Sequence, residues 1–292
     1  MFCLATGAVI FVVAIVYIVL DTIMRSLKVC NITDKYVFIN GWLSRAKQLD
    51  KLGFYVFAGC LTKEGAKSVT ESCSSRVTTV ELDIRRLWAL LNNAGVLGRC
   101  APAEMCSRED IQEALSVNLL GPIDVTRHFL PLIRKVKGRI VITTSMGARV
   151  AILPIPYTVS KYGLNGFSDR LRREVWRQGI KVSIVEPGAF RTQILIIDKC
   201  VQEVQEVYDK HSPDIQATYG GPKLMNMVRN VLSSTKSGAL EDLRLVVNAN
   251  VHAITSRFPR TRYRPGWDAV WFYNPVTYLS DSLADLVLGP AA

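Results

Sequence analysis

Short apolar runs that alternate with amphipathic stretches are the feature of this sequence that most restricts its fold. Strands that are joined by crossover helices pair in parallel. The sequence therefore predicts an α/β fold with a doubly wound parallel sheet, and helices near Arg108–Arg134 and Ser160–Gln178. A surface loop is predicted around Ser237, in SSTKSGALED. The predicted strands are Tyr36–Ile39, Tyr55–Cys60, Thr78–Leu82, Leu87–Leu91, Arg139–Thr144 and Lys181–Glu186.

The N-terminal segment is the longest apolar stretch of the chain. Cys3–Leu20 carries no charged residue, and a helix of that length, at about 1.5 Å per residue, nearly spans the core of a bilayer. A cleavable signal peptide is the alternative, but the segment lacks a basic start and a small-residue cleavage site. We expect a single uncleaved membrane anchor. The basic residues that follow favour a cytosolic catalytic domain only weakly, so the side of the membrane stays open.

The formal net charge of +11 raises the question of a nucleic-acid partner. The cations are spread along the chain and form no patch interleaved with aromatic residues, so nucleic-acid binding is not expected. Two denser clusters could face anionic lipid or be a solvated helix face and a loop. They are Arg170, Arg172, Arg173 and Arg177, and Arg257, Arg260, Arg262 and Arg264.

Cysteine and histidine residues are scattered along the chain. None of the seven cysteines forms a CxxC pair, and the three histidines lie far apart without carboxylates at ligand spacing. Metal-binding motifs need such spacing, so no metal site is predicted.

Tyr157 and Lys161 are four residues apart near the start of a predicted helix, so both side chains project from one face. A phenol has an ordinary pKa of about 10, and a nearby ammonium group lowers it. Tyr157 could then exchange a proton with an alcohol or ketone, and Ser145 could hydrogen-bond the reacting oxygen. An ordinary tyrosine and lysine on a helix surface are the alternative interpretation.

Three further motifs lie at strand ends or in nearby helices. NNAG ends at Gly95, SVNLLG contains Asn118, and EPG ends at Gly188. The carboxyl edge of a parallel sheet is where α/β proteins bind dinucleotides, so we expect these residues to converge there.

Together these motifs resemble the short-chain dehydrogenases. YTVSKYGLNGFSDRLRREV and VSIVEPGAFRT are similar to the vertebrate retinol and hydroxysteroid dehydrogenase branch, and the resemblance covers most of Asp34–Leu286. It implies a Rossmann-like fold and reversible hydride transfer between a nicotinamide cofactor and a secondary or allylic alcohol. It also implies that Tyr157 is the proton donor/acceptor and that Lys161 lowers the pKa of this tyrosine and binds the ribose. Ser145 would be the partner of the substrate oxygen, and Asn118 would take part in a proton relay.

The resemblance further implies which residues border the cofactor. NAD(H) is expected rather than NADP(H), because that branch prefers it. Asp83 would hold the adenine edge, and Pro187, Gly188 and Thr192 would support the nicotinamide end. The full set of expected cofactor-binding residues is Gly41, Asp83, Asn93, Ala94, Gly95, Lys161, Pro187, Gly188 and Thr192.

The chain departs from the family pattern in its cofactor-binding half. The glycine-rich turn after the first strand reads NGWLSRAKQL, which keeps only Gly41 and is shortened. Only Ile84–Leu91 separates Asp83 from NNAG, so one crossover helix is shortened as well. Glycines let the backbone approach a pyrophosphate closely. A non-catalytic membrane-anchored homologue that has lost dinucleotide binding is therefore the alternative function.

The remaining predictions concern substrate and organisation. Apolar residues within Ala189–Val201 could line a site for a lipophilic alcohol such as retinol or a hydroxysteroid, or could pack in the core. We expect a membrane location, in the endoplasmic reticulum, and a homodimer as in many members of the family. The expected divisions are an anchor and basic flank at 1–28, a Rossmann-like domain at 34–266, and a C-terminal cap or membrane-interface segment at 267–292.

Overall fold

The computed structural model describes residues 2–30, 35–40, 43–59, 67, 71–78, 87–192, 194 and 196–289. Side chains are described from residue 14 onward within these ranges, except at 40, 43–45, 59 and 78. Gly41 and Asp83, which the sequence places at the cofactor, lie outside the described residues.

Seven strands of the described residues form one sheet, in which every pairing is parallel. Their order, β3-β2-β1-β4-β5-β6-β7, reverses direction at β1, which is the switch point of a doubly wound fold. The predicted α/β fold is thus confirmed. The strands are β1 (Tyr36–Asn40), β2 (Tyr55–Gly59), β3 (Val77–Thr78), β4 (Leu87–Asn92), β5 (Arg139–Thr143), β6 (Lys181–Val185) and β7 (Arg262–Tyr263).

The helices flank both faces of the sheet. Two short π-helical segments, Ser116–Leu120 and Ala269–Tyr273, and two 3₁₀ turns, Ala103–Met105 and Trp176–Gln178, interrupt or extend them. The α-helices are α1 (Phe2–Ser26), α2 (Leu43–Lys51), α3 (Arg108–Leu115), α4 (Gly121–Lys135), α5 (Gly147–Val150), α6 (Ile155–Val175), α7 (Ile197–Tyr208), α8 (Pro213–Tyr219), α9 (Gly221–Gly238), α10 (Arg244–Thr255), α11 (Asn274–Val276) and α12 (Asp281–Leu288).

Two helix predictions need correction. The helix expected over Arg108–Arg134 is divided by the π-helical segment at Ser116–Leu120, and α6 begins at Ile155 rather than Ser160. The loop predicted around Ser237 is wrong, because that residue lies in α9. Leu224 and Leu232 bury one face of α9, so its serines and lysines form the solvent face of an amphipathic helix.

The short connection between β3 and β4 is compatible with the strand order. These strands are separated by β2 and β1, a lateral distance of about 14 Å at the usual strand spacing. An extended chain covers about 3.3 Å per residue, so a connection of eight residues is long enough to cover that lateral distance. Those residues themselves lie outside the described part of the chain.

The N-terminal helix α1 is attached to the body of the protein at its C-terminal end. The carbonyl of Arg25 accepts hydrogen bonds from His252 (3.0 Å) and Ser256 (2.8 Å), and Lys28 forms an antiparallel bridge with Ser256. Judged on the residues that the structure describes, no helix combines the length and the apolar character needed to cross a membrane. The transmembrane anchor predicted at 1–28 is not confirmed by this finding.

Candidate active site

Helix α6 presents Tyr157 and Lys161 at the carboxyl edge of the sheet. Pro156 lies in the first turn of the helix, where its missing N–H costs no hydrogen bond. Both residues are buried, and Lys161 Nζ lies 5.7 Å from the centroid of the Tyr157 ring. The same ammonium group donates to the carbonyl of Thr143 at the end of β5 (3.3 Å). The spacing predicted from the sequence therefore places the lysine charge beside the phenol.

Ser145 follows β5 and reaches the same point. Its Oγ accepts the backbone N–H of Gly147 (3.0 Å), and its hydroxyl lies close enough to that of Tyr157 to influence the pKa of the phenol. Burial raises the pKa of Tyr157 above its ordinary value, and the Ser145 hydroxyl acts in the opposite direction. The phenol is therefore protonated at neutral pH in this state of the protein.

Asn118 lies in the π-helical segment between α3 and α4 and is fully buried. Its Oδ1 accepts from the N–H of Val96 (2.8 Å), and its Nδ2 donates to Val96 O (2.8 Å) and to Ser160 Oγ (2.9 Å). Ser160 in turn donates to the carbonyl of Tyr157 (2.7 Å). Both amide hydrogens are thus used within the protein. The side chain fixes the loop after β4 against α6.

The NNAG loop borders this group of residues. Asn93, Ala94 and Gly95 are partly buried, and a Cβ built on Gly95 would lie 3.2 Å from both Lys161 Nζ and Asn118 Oδ1. Glycine therefore keeps open a space beside an ammonium group, which suits a ribose or another hydroxyl-bearing group. Asn92, the first asparagine of the motif, is instead structural, since it donates to Thr126 Oγ1 (2.9 Å).

The turn after β6 is held by a buried carboxylate. Glu186 is fully buried and forms ion pairs with Arg264 (3.1 Å), Arg149 (3.9 Å) and Arg262. Arg262 also pairs with Asp169. The sequence analysis assigned Arg262 and Arg264 to a basic cluster that could face lipid, but in the structure both form ion pairs with Glu186. Their pairing fixes the strand end that leads into Pro187 and Gly188.

Asp268 is the residue of this region that sequence reasoning missed. It is buried, and its Oδ2 accepts the backbone N–H of Ala189 (2.6 Å). A Cβ built on Gly188 would lie 2.1 Å from Asp268 Oδ1, so only glycine lets the carboxylate approach. Gly188 also donates its N–H to the carbonyl of Pro265 (3.1 Å). No sequence signal connected two residues that are 80 positions apart.

Thr192 lies in the segment between β6 and α7. Its side chain lines a cavity of about 410 Å³ with Asp198 and Arg229 at the α7–α9 surface, and its Oγ1 accepts the N–H of Ile194 (3.4 Å).

Tyr157 is surrounded by apolar residues from the α7–α9 region. Its hydrophobic cluster includes Leu97, Met105, Val204 and Leu224. Ile194 and Ile196, which the sequence placed in an apolar lining, are 39% and 52% exposed, and Leu195 lies outside the described residues. Tyr157 thus adjoins an apolar cluster on one side, which suits binding of a lipophilic molecule, and the polar groups of Ser145 and Lys161 on the other.

Comparisons with known sequences agree with this arrangement. The short chain dehydrogenase family matches residues 46–198. Retinol dehydrogenase 7 of Rattus norvegicus is 38% identical, with 89% of each chain covered. The human 17-beta-hydroxysteroid dehydrogenase type 6 is 40% identical, again with 89% of each chain covered.

Two solved structures have a similar fold. A short-chain dehydrogenase from Streptomyces avermitilis aligns with a TM-score of 0.64 and 22% identity, over 86% of this chain and 94% of that one. One from Burkholderia cenocepacia, in complex with NADP, aligns with a TM-score of 0.64 and 20% identity, over 88% and 99%. At these identities the likeness concerns the fold alone.

Proposed function

The chain belongs to the short-chain dehydrogenase family, and from this premise we propose that it transfers a hydride between a nicotinamide cofactor and a lipophilic alcohol or ketone, such as retinol or a hydroxysteroid. Members of the family are NAD(P)-dependent oxidoreductases that act on CH–OH groups. The observation that carries the proposal is the buried phenol of Tyr157, which has the Ser145 hydroxyl nearby and the Lys161 ammonium group beside its ring.

The proposed chemistry assigns one role to each of these side chains. When a ketone is reduced, Tyr157 as the phenol donates the proton, and when an alcohol is oxidised, Tyr157 as the phenolate accepts it. The bound nicotinamide supplies the hydride acceptor or donor. Ser145 holds the reacting oxygen by a hydrogen bond, and the positive charge of Lys161 favours the phenolate over the phenol. Asn118, whose side chain fixes the loop after β4 against α6, is proposed to take part in the proton relay.

The cofactor is proposed to lie along the carboxyl edge of the sheet. Asn93, Ala94, Gly95 and Lys161 would border its ribose, and Pro187 and Gly188 its nicotinamide. Thr192 is retained as a proposed ligand, although it would have to turn from the cavity that it now lines. Gly41 and Asp83 stay predictions. NAD(H) is proposed over NADP(H) because of the resemblance to the retinol and hydroxysteroid branch.

The lipophilic substrate class is supported by two observations. The names of similar proteins, a retinol dehydrogenase and a hydroxysteroid dehydrogenase, refer to bulky apolar alcohols. Tyr157 lies among apolar side chains of α7 and α9, which could contact an isoprenoid chain or a steroid ring.

Replacing Tyr157 with phenylalanine tests the proposal. General acid–base catalysis contributes a factor of about 10²–10⁴, so Tyr157→Phe should lower the rate of retinol or hydroxysteroid oxidation by that factor. Tyr162→Phe is the matched control, because Tyr162 lies on the same helix and is 42% exposed. Activity of Tyr157→Phe within tenfold of the parent would reject the assigned mechanism.

A non-catalytic homologue remains the second candidate because of one feature of the chain. Strand β1 ends at Asn40 and α2 begins at Leu43, so only two residues stand where the family has a glycine-rich turn. Titration with NADH and NADPH, followed by thermal unfolding, separates the candidates, because a ligand of the native state raises stability. Stabilisation supports the enzyme, whereas a folded protein that neither cofactor stabilises supports the alternative.

We also propose that the chain associates with a membrane, that of the endoplasmic reticulum, through α1. The apolar side chains from Ile15 to Leu20 are 45–68% exposed. The segment 267–292 is proposed as a cap or membrane-interface element, since Trp271 and Leu286 are 79% and 80% exposed and aromatic residues are enriched at membrane interfaces. A homodimer that pairs through α6 stays a prediction, for which size-exclusion chromatography with light scattering is the test.

A further inference from the structure

A groove of about 550 Å³ lies between α1 and the amino end of the sheet. Leu20 and Met24 of α1 form one wall, and Trp176 and Phe258 form the other. Lys181, the first residue of β6, also lines the groove. The carboxyl end of the same strand leads to Glu186 and the candidate active site, so the groove lies at the opposite edge of the sheet.

The charged side chains of the groove are mostly cationic. Asp21 is the one acidic residue of its lining, against Arg25, Arg172 and Lys181. Asp21 is paired with Arg25 (2.6 Å), and Lys181 has no acidic partner within the described ranges. Three further exposed arginines lie next to lining residues in the chain, and one of them, Arg260, contributes to lowering the pKa of Asp21. They are Arg173, Arg177 and Arg260.

Arg139 adds a buried cation to this edge of the sheet. It is the register partner of Lys181 in the neighbouring strand, so both side chains leave the same face of the sheet. Arg139 is 5% exposed and forms no ion pair with any described residue. Its Nη atoms make long contacts of 3.4 Å with the carbonyls of Gly138 and Ser256, and its Nε has no hydrogen-bond partner.

Among the residues that the structure describes, none supplies a negative charge to Arg139. Its guanidinium group lies 4.9 Å from the centre of the Trp88 ring, and burial lowers its pKa to about 10. Burying a charge without a counter-charge is unfavourable. Ser256, which Arg139 contacts, also bonds the carbonyl of Arg25 at the end of α1, so Arg139 lies beside the junction between α1 and the body of the protein.

We propose that this groove binds an anionic phospholipid of a membrane surface. The acyl chains contact Leu20, Met24 and Phe258, and the headgroup is attracted by Lys181 in the groove lining. Arg139 is buried outside that lining and adds positive potential at the same edge of the sheet. A free phosphate would satisfy the cations but leave the apolar walls uncovered. The exposed apolar residues Ile15–Leu20 lead directly into the groove, which favours a lipid. The inference deepens the proposed membrane association, since it names the lipid class and the site, and it is independent of catalysis.

Vesicle sedimentation with the full-length protein tests the site. Binding to phosphatidylcholine vesicles is compared with binding to vesicles that also contain phosphatidylserine. We expect tighter binding to the anionic vesicles, and a loss of about fivefold in that preference for Lys181→Ala, since one cation near an anionic surface contributes about that factor. Arg170→Ala is the matched control, because Arg170 is an exposed cation of α6 outside the groove and its loss should leave the preference unchanged.

Arg139→Met separates a ligand-binding role from a structural one. Replacing a buried unpaired charge by an apolar side chain is often neutral or stabilising. We therefore expect an unchanged or raised melting temperature together with a reduced preference for anionic vesicles. A lowered melting temperature with an unchanged preference would overturn the assignment of Arg139, and Lys181→Ala then tests the groove without it.

Three results would overturn the site itself. They are equal binding to both kinds of vesicle, equal losses in Lys181→Ala and Arg170→Ala, and stabilisation of the protein by inorganic phosphate as large as that by anionic vesicles. The broader proposal of membrane association is judged separately. Binding to neutral vesicles would support it even if the anionic preference is absent, and no binding to either kind would reject both.

Discussion

Replacing Gly188 with alanine should destabilise the protein by about 2 kcal/mol, because the new methyl group and the Asp268 carboxylate cannot occupy the same space. The methyl carbon would lie 2.1 Å from Oδ1 and 2.3 Å from Oδ2, whereas real Cβ atoms essentially never approach closer than 3.0 Å. The carboxylate must therefore withdraw by about 0.9 Å. That shift breaks its 2.6 Å hydrogen bond with the N–H of Ala189.

The magnitude follows from the bond that is lost. A hydrogen bond to a charged group contributes about 1.5–3 kcal/mol, and a buried donor left without a partner costs about 1–3 kcal/mol. These figures describe one event and are not added. Asp268→Ala loses the same bond, so it should cost a similar amount, but it also makes room for a methyl group on residue 188. In that background Gly188→Ala should cost less than about 0.5 kcal/mol.

Urea unfolding of the parent, the two single variants and the double variant measures the coupling directly. We expect an interaction energy of about 2 kcal/mol between the two sites. If Gly188→Ala costs the same with and without Asp268, to within about 0.5 kcal/mol, the carboxylate does not hold this turn. Titration of the same four proteins with NADH then shows whether the turn also sets cofactor affinity.

Three other substitutions follow from the site and from the α1 junction. Asn118→Ala should lower the free energy of unfolding by about 3 kcal/mol, since it leaves two backbone groups of Val96 without partners; a loss below about 1 kcal/mol in thermal unfolding would contradict this. Gly95→Ala should lower turnover at least about tenfold, which is a barrier increase of about 1.4 kcal/mol, with little change in melting temperature. The reason is that the new Cβ would crowd Lys161 Nζ at 3.2 Å. Unchanged turnover would contradict the proposed cofactor position. Burial and the nearby cations Lys28, Arg260 and Arg25 lower the pKa of His252 below 6.5, while its hydrogen bond with the Arg25 carbonyl acts in the opposite direction. The neutral ring therefore stabilises the fold above that pH. The free energy of unfolding falls as the pH decreases through the lowered pKa. His252→Gln should flatten this acid limb in unfolding measured at several pH values, and an unaltered limb would assign it to other groups.

Regular patterns made much of the fold predictable, and long-range contacts limited the rest. Strands such as β5 are continuous apolar runs, because helices cover both faces of a parallel sheet. Strand β7 has only two residues and carries no such pattern, so it was not predicted. The polar residues around Ser237 were interpreted as a loop, whereas the packing of Leu224 and Leu232 makes the segment helical.

The candidate site divides in the same way. Tyr157, Lys161 and Ser145 could be predicted because four-residue spacing on a helix and a strand end bring them together. The hydrogen bonds of Asn118 and the contact between Asp268 and Gly188 could not be predicted, because they join residues that are far apart in the sequence. The contact between Glu186 and Arg264, 78 positions apart, is of the same kind.

The attachment of α1 has a consequence for how the chain folds during synthesis. Its end bonds residues that follow 227–233 positions later, including His252, Ser256 and Phe258. Helix α1 therefore cannot reach these contacts until most of the residues that follow it have been made. At about 5–20 residues per second, that interval is roughly 10–50 seconds. Throughout that interval the end of α1 lacks the hydrogen bonds that join it to the body of the protein.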